Sequence, residues 1–235
     1  MKTWKTKSGY EIIRILSGRS NAFIINNGTA CIMVDSSRFN QWRKLRRRLR
    51  LLQIERIDLL ILTHSHFDHA ENARKLKAEF HPQILIHQSE ADYLRYGDSP
   101  LPQGTICFTR IILKLFANLL QPRLKYQGVD GDIEVASRLD LNPWGYNAYI
   151  IHTPGHTRGS MSLIIDDEIA LVGDAMVGEI KNSIFQPFAD DIGEAVRSWQ
   201  RLLDTNCSTY LPAHGGAISR QLVLKEYERH RGKYF

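Results

Sequence analysis

Thr63-His64-Ser65-His66-Phe67-Asp68-His69 directly follows the apolar run Ile57-Asp58-Leu59-Leu60-Ile61-Leu62. Three of the nine histidines and a carboxylate thus fall within six residues. A short apolar run bounded by polar residues reads as a buried strand. The cluster at its end then reads as ligands delivered to the rim of a sheet. Imidazole and carboxylate suit Zn²⁺, with Fe²⁺ or Mn²⁺ as further options. Unrelated histidines in a solvent-facing loop would explain neither the spacing nor the ligand types that recur downstream.

Three such recurrences follow predicted strands. His156 lies in Thr153-Pro-Gly-His-Thr-Arg-Gly-Ser160, Asp174 in Leu171-Val-Gly-Asp174, and His214 in Leu211-Pro-Ala-His-Gly-Gly216. Gly155, Gly173 and Gly215 adjoin them, consistent with backbone held close to an ion where a side chain would collide. Each motif alone is weak. Four strand-end clusters together predict a site for two metals. His64 and His66 are alternate residues and present the same side of an extended segment, whereas the adjacent Asp68 and His69 need a turn to converge.

The remaining histidines are His81, His87, His152 and His230. His152, four residues before His156, falls in or beside a strand and reads as a supporting or packing residue. Arg158 is close enough to His156 to meet an anionic group at the mouth of the site, or is an ordinary surface arginine. Cys207 has no ligand motif around it and reads as core.

Around these motifs the chain alternates predicted elements. Extended pieces at Tyr10–Ile15, Ala22–Ile25 and Ala30–Val34 open it, with Asn26-Asn27-Gly28 as a hairpin turn. Asp35-Ser36-Ser37 is expected to cap the helix that follows. In that helix Arg43, Lys44, Arg46, Arg47, Arg48, Arg50 and Arg56 surround an apolar stripe of Leu45, Leu49, Leu52 and Ile54. Such a face either contacts nucleic acid or an anionic membrane or is simply solvated. No base-reading motif accompanies it, so no nucleic-acid partner is expected. Helix, strand and helix follow to about residue 96.

Breakers at Asp98–Gly104 precede the apolar segment Phe108–Leu120. Residues of about 98–125 are expected to form a helical lid or a dimer interface, with a plain core helix as the other reading. Ile112 and Phe116 would then lie near substrate. Beyond this come strands near Ile133–Val135, Arg138–Leu141, Ala148–Ile151, Ser160–Ile165, Ile169–Val172 and Thr209–Leu211. Helices are expected over Ile192–Leu203 and Ser219–Glu228. Strands with a helix-bearing connection in each half predict two sheets packed face to face and covered by helices, an α+β arrangement.

The segment Thr63–His69, with His156, Asp174 and His214, resembles the HxHxDH signature and partner motifs of the metallo-β-lactamase fold superfamily of hydrolases. The resemblance runs from about Tyr10 to His214 and is specific for fold and metal chemistry rather than substrate. It implies a four-layered αββα sandwich with metals between the sheet edges. It also implies that His64, His66 and His156 hold one ion, that Asp68, His69 and His214 hold a second, and that Asp174 bridges them. Asp35 would support the histidine loop from behind, and Asp68 would be catalytic. The implied cofactor is two Zn²⁺ per chain, activating a bridging hydroxide.

An Asp at position 174 and an opening without an apolar leader resemble the thioesterase, lactonase and phosphodiesterase branches more than exported lactamases. The extra motifs of glutathione thioesterases and of tRNA-processing nucleases are not evident. The expected function is therefore a hydrolase of a small-molecule ester, thioester or lactone. A phosphodiesterase or nuclease using the same site remains open, as does a mononuclear iron enzyme of the persulfide dioxygenase type. A non-catalytic module would not require all seven ligands.

Bulk properties agree with one domain over residues 1–235. The length suffices for a sizeable core, and 43% apolar residues argue against disorder. Cys31, Cys107 and Cys207 are too few for a disulfide framework. The start Met1–Tyr10 lacks a signal-peptide core and no apolar run reaches a membrane-spanning length. The expectation is a cytoplasmic protein without a membrane partner, and a homodimer if the 98–125 segment is an interface.

Overall fold

The computed structural model describes residues 1–234; Phe235 and the side chains of Ile112, Asn118, Leu120 and Arg123 lie outside the described residues. Seven strands form the first sheet in sequence order: β1 (Lys2–Lys5), β2 (Glu11–Leu16), β3 (Ala22–Asn26), β4 (Cys31–Val34), β5 (Leu59–Ile61), β6 (Gln83–His87) and β7 (Ile133–Val135). The first four make an antiparallel meander. The β3–β4 turn is the Asn-Asn-Gly segment, where Asn27 Oδ1 accepts from the Thr29 and Ala30 amides. From β4 onward pairing is parallel, so each connection must cross over on a helix. Those helices are α1 (Trp42–Leu51), α2 (Phe67–Ala70), α3 (Ala73–Phe80), α4 (Ala91–Tyr96) and α5 (Cys107–Leu120).

The second sheet contains β8 (Arg138–Asp140), β9 (Ala148–His152), β10 (Met161–Ile165), β11 (Ile169–Gly173), β12 (Thr209–Pro212) and β13 (Ile218–Ser219). Its order is β13-β12-β11-β10-β9-β8, antiparallel except for β11–β12. That parallel pair is joined by α6 (Ile192–Leu203), and α7 (Arg220–Tyr234) closes the chain.

Alternation of side chains across each strand produces the layers. Leu59 and Ile61 meet Leu163, Leu171 and Leu211 between the sheets. Leu60 and Leu62 face the other way, toward Leu45 and Leu49 of α1 and Leu76 of α3. On the far side Ala170 and Val172 pack under Val196 and Trp199 of α6. The result is the four-layered αββα sandwich that the sequence predicts.

Two expectations need correction, and one strand has no counterpart in the sequence reading. The strand Ile133–Val135 belongs to the first sheet, beside β6, not to the second. Lys2–Lys5 adds an edge strand, partly exposed, that no apolar alternation announces. Asp35-Ser36-Ser37 does not cap α1, whose N-cap residue is Gln41 and makes no side-chain cap bond. Instead Asp35 and Ser37 adopt positive φ (56° and 58°) and turn the chain toward the histidine loop.

Candidate metal centre

Every ligand candidate leaves the C-terminal end of a strand or the loop just after it. β5 leads into His64, His66, Asp68 and His69; β9 leads to His156, β11 to Asp174 and β12 to His214. Because both sheets present these ends at one edge of the sandwich, residues up to 150 positions apart meet there.

His64 Nε2 and His156 Nε2 each lie 3.0 Å from His66 Nδ1. Nitrogens around one ion at Zn–N distances of about 2.0–2.1 Å would stand a little over 3 Å apart. A second group brings His69 Nε2 to 3.8 Å from Asp68 Oδ1 and His214 Nε2 to 3.5 Å from Asp68 Oδ2. Asp174 touches both groups, with Oδ1 3.5 Å from His69 and Oδ2 3.5 Å from His156 and 3.3 Å from His214. The donor atoms of His64, His66 and His156, and of Asp68, His69 and His214, lie within 4.8 Å of one another in each set. All seven predicted ligands are thus brought together.

Hydrogen bonding tests whether these residues fit a cation. Among the described residues, His69 Nε2 and Asp174 Oδ1 are buried with no partner. Buried polar atoms ordinarily find one, and a metal ion between them would supply it. Electrostatics gives the same answer. Burial, reinforced by the neighbouring imidazoles, holds His64 and His66 well below the ordinary histidine range and keeps them neutral. Burial acts in the same direction on His69 and His214, but carboxylates outweigh it. Asp35, Asp174 and Asp68 raise His69 well above its usual value, and Asp174 pushes His214 up to about 9. Burial disfavours charge on Asp174 as well, yet His214, His69 and His156 hold its carboxyl well below the usual range. The carboxylates therefore demand positive charge at their centre, which a divalent cation satisfies with neutral imidazoles.

Supporting contacts fix the ligands. Asp35, 2% exposed, accepts from the Thr63 amide at 2.9 Å and lies 2.9 Å from His69 Nδ1. Thr63 Oγ1 reaches both Asp35 and, at 3.1 Å, His64 Nδ1. The Phe188 carbonyl holds His156 Nδ1 at 3.0 Å. The neighbouring glycines are needed for a different reason from the expected one. A Cβ on Gly173, whose φ is +50°, would meet the Thr63 side chain at 2.7 Å, and one on Gly155 would strike the α6 backbone at Ala195. They make room for protein, not for the ion.

Sequence reasoning overlooked three groups. Ser20 Oγ donates to the Asp68 carbonyl at 2.7 Å, and Asn21 bonds through its side chain to the Pro212 carbonyl. Glu90, 2% exposed, accepts from the Ser65 amide and hydroxyl and from the Gly159 amide, tying the His64–His66 loop to the His156 loop. Lone polar residues carry no periodic signal that would have singled them out.

A cavity of about 320 Å³ opens over the ligands. Phe67, Pro100, Leu101, Pro102, Val177, Pro187 and Phe188 line it, with Leu113 of α5 and Leu124. Among the described residues, its polar residues beyond the ligands are Ser99, Glu179 and Gln186, and no lysine or arginine lines it. Of the residues expected near substrate, Phe116 is 48% exposed and is not in this lining. The Ile112 side chain lies outside the described residues. Arg158 lines a separate cavity with Asp190, Asp191 and Glu194. His152 stacks on His87, centroids 4.2 Å apart, away from the ligands, and Cys207 is fully buried core. No helix among the described residues is long and apolar enough to cross a membrane.

Residues 17–214 match the model of the metallo-beta-lactamase superfamily, and the chain belongs to that family. It is 22% identical over 213 residues to the beta-lactamase-like protein 2 homolog of Drosophila melanogaster, covering 88% of this chain and 62% of the relative. It is 23% identical over 230 residues to an atrochrysone carboxyl ACP thioesterase of Aspergillus fumigatus, covering 93% and 61%. The chain thus spans about three fifths of the length of these curated relatives. The crystal structure of an archaeal metallo-beta-lactamase superfamily protein from Sulfolobus tokodaii superposes with a TM-score of 0.66 at 18% identity, covering 93% of this chain and 85% of that one.

Proposed function

We propose that this superfamily member is a dinuclear zinc hydrolase of small-molecule esters, thioesters or lactones. The carrying observation is the pairing of a seven-ligand cluster with an apolar cavity that, among the described residues, no lysine or arginine lines. Phosphate diesters are ordinarily met by cationic side chains, so the lining favours a neutral carbonyl substrate over the phosphodiester alternative. The fungal relative's name as an ACP thioesterase lends the same direction support.

Bound between these residues, two divalent ions supply Lewis acidity and a water acidified to act as nucleophile near neutral pH. The chain's residues do the rest. His64, His66 and His156 would hold one ion and Asp68, His69 and His214 the other, and the Asp174 carboxylate between the two sets would offset their mutual repulsion. Asp35 keeps the His69 proton on Nδ1 and leaves Nε2 free as a donor pair. Asp68 is the most exposed of the carboxylates in the cluster, with 18% of its side chain accessible, and it lines the cavity. We assign to Asp68 the proton lost by the attacking water. Phe67, Leu113 and Phe188 hold the acyl portion and exclude bulk water.

The test is a panel of thioester, lactone, phosphodiester and chromogenic β-lactam substrates with zinc-loaded protein, alongside elemental analysis. Two zinc ions per chain and turnover of a carbonyl ester are expected. Turnover confined to phosphodiesters, or a single tightly bound iron, would defeat the reading.

A further inference from the structure

Helix α5 turns an apolar face outward. Ile106 at its N-cap and Phe108, Ile111, Leu115, Phe116 and Leu119 along it are all exposed, Phe108 at 69% and Leu115 at 68%. Phe108, Ile111, Leu115 and Leu119 recur in steps of three and four and so form one stripe along the helix. The opposite side is already seated. Thr109, 4% exposed, donates its hydroxyl to the Pro187 carbonyl at 2.9 Å, and Leu113 lines the cavity over the ligands. Among the described residues no member of α5 belongs to the three buried core clusters. The helix is therefore not a core helix, and it could not roll this stripe onto the cavity without giving up the contacts that hold it.

An exposed apolar stripe of this extent marks a surface for a protein or a membrane. Charge decides between them. Residues 99–129 include Arg110, Lys114, Arg123 and Lys125 and no Asp or Glu. Lys114 lies one turn from both Ile111 and Arg110, so the two cations edge the stripe on one side. Both are exposed and, among the described residues, neither pairs with a carboxylate; Arg110 Nε donates only to the Gly104 carbonyl, at 3.0 Å. A second copy of this chain would set the same patch against itself. Cations would then face cations with no acid to meet them, which costs affinity. An anionic lipid surface satisfies both features at once. Apolar side chains enter at the boundary of headgroups and acyl chains, while long basic side chains reach back to the phosphates. We propose that α5 docks the protein on anionic lipid bilayers, lying in the interface plane with its apolar stripe inserted and Arg110 and Lys114 on the headgroups. Peripheral docking needs no membrane-spanning helix, so it is compatible with the lack of one among the described residues, although the sequence alone pointed to no membrane partner. It is also independent of the reaction at the metal centre.

The test is co-sedimentation of the full-length protein, as purified, with large vesicles of phosphatidylcholine carrying roughly 30% phosphatidylserine, at about 0.15 M salt. Vesicles of phosphatidylcholine alone are the comparison, and binding to them should be weaker by at least about tenfold. Phe108→Ser/Leu115→Ser removes the two most exposed side chains of the stripe and should weaken binding to anionic vesicles by at least about tenfold. Arg110→Gln/Lys114→Gln should weaken it roughly 25-fold, about fivefold per cation. All four positions are on the surface, so zinc content and melting temperature should match wild type in both variants. A further measurement needs no substitution: raising salt to about 0.5 M should release wild type from the anionic vesicles. Equal binding to neutral and anionic vesicles, or none to either by a monomeric protein, would overturn the proposal. Dimerisation that Phe108→Ser/Leu115→Ser abolishes, with no vesicle binding, would also overturn it and give the stripe to a second copy.

Discussion

Replacing Glu90 with Ala should loosen the metal centre without touching a single ligand. Its carboxylate is the bridge between the two histidine-bearing loops: Oε2 takes the Ser65 amide at 3.1 Å together with the Ser65 hydroxyl, and Oε1 takes the Gly159 amide at 3.1 Å. Truncation leaves two buried backbone donors unpaired, at about 1–3 kcal/mol each, because the Ser65 hydroxyl alone can rotate to a new partner. The expected loss is roughly 2–6 kcal/mol, a large share of a domain stability of about 5–15 kcal/mol. Part of that loss should appear as ligand misplacement. Residues that orient metal ligands typically carry about 10–100-fold in metal affinity, and here both loops of the first ligand set depend on one side chain. Zinc competition against a chromophoric chelator, run with denaturant unfolding of loaded and stripped protein, separates the two effects. Glu90→Gln keeps one acceptor and should fall between wild type and Ala on both measures. If Glu90→Ala lost stability but kept zinc affinity within about twofold of wild type, far from the range for orienting residues, Glu90 would be a packing group and the bridging argument would fail.

Asp174→Ala removes the one carboxylate that touches both ligand sets and should lower zinc content more than Asp68→Asn, with activity falling roughly 100-fold or more; elemental analysis and kcat/KM check both. Metal-stripped protein should be most stable near pH 6.5, because His64 and His66, held low, contribute stability that is present above 6.5 and lost as pH falls below it. His214, raised to about 9, contributes stability that is fully present below its ordinary 6.5 and lost as pH rises through about 9, while Asp174, lowered, contributes stability present above 3.8 and lost as pH falls. A melting temperature of stripped protein that rose steadily from pH 6.5 to 9 would contradict this. Gly155→Ala, at φ +133° and against the Ala195 backbone, should cost about 3 kcal/mol or more by denaturant unfolding. An Arg46/Arg47/Arg50→Gln variant should bind short RNA and DNA no differently from wild type, since Arg46 and Arg50 already engage Glu79; tight binding that the variant loses would revive the nuclease alternative.

How much of this was legible beforehand depends on how local each signal is. The His64–His69 cluster packs four ligands into one loop, and β5 and β11 are apolar runs ending in polar residues, so both the ligands and the sheet edge could be read directly. Helix Ile192–Leu203 carries its own apolar stripe and an Asp191 cap on the Glu194 amide, which is why its ends match the sequence reading. β7 failed for the opposite reason. Its three residues look the same in either sheet, and only parallel pairing with β6 across a 45-residue connection assigns them to the first. Asp35 was singled out through family resemblance, yet the local rule that Asp and Ser precede helices gave it the wrong partner. Tertiary demand from Thr63 and His69 outweighed capping and held Asp35 and Ser37 in left-handed backbone. Glu90 marks the far limit. It is a single polar residue at a position that nothing in the sequence distinguishes from surface, and it acquires its role only when the His64–His66 loop and the His156 loop are brought together over it. In this fold the candidate ligands sit in short motifs at strand ends, while the groups that aim them are lone polar residues distributed across the sandwich.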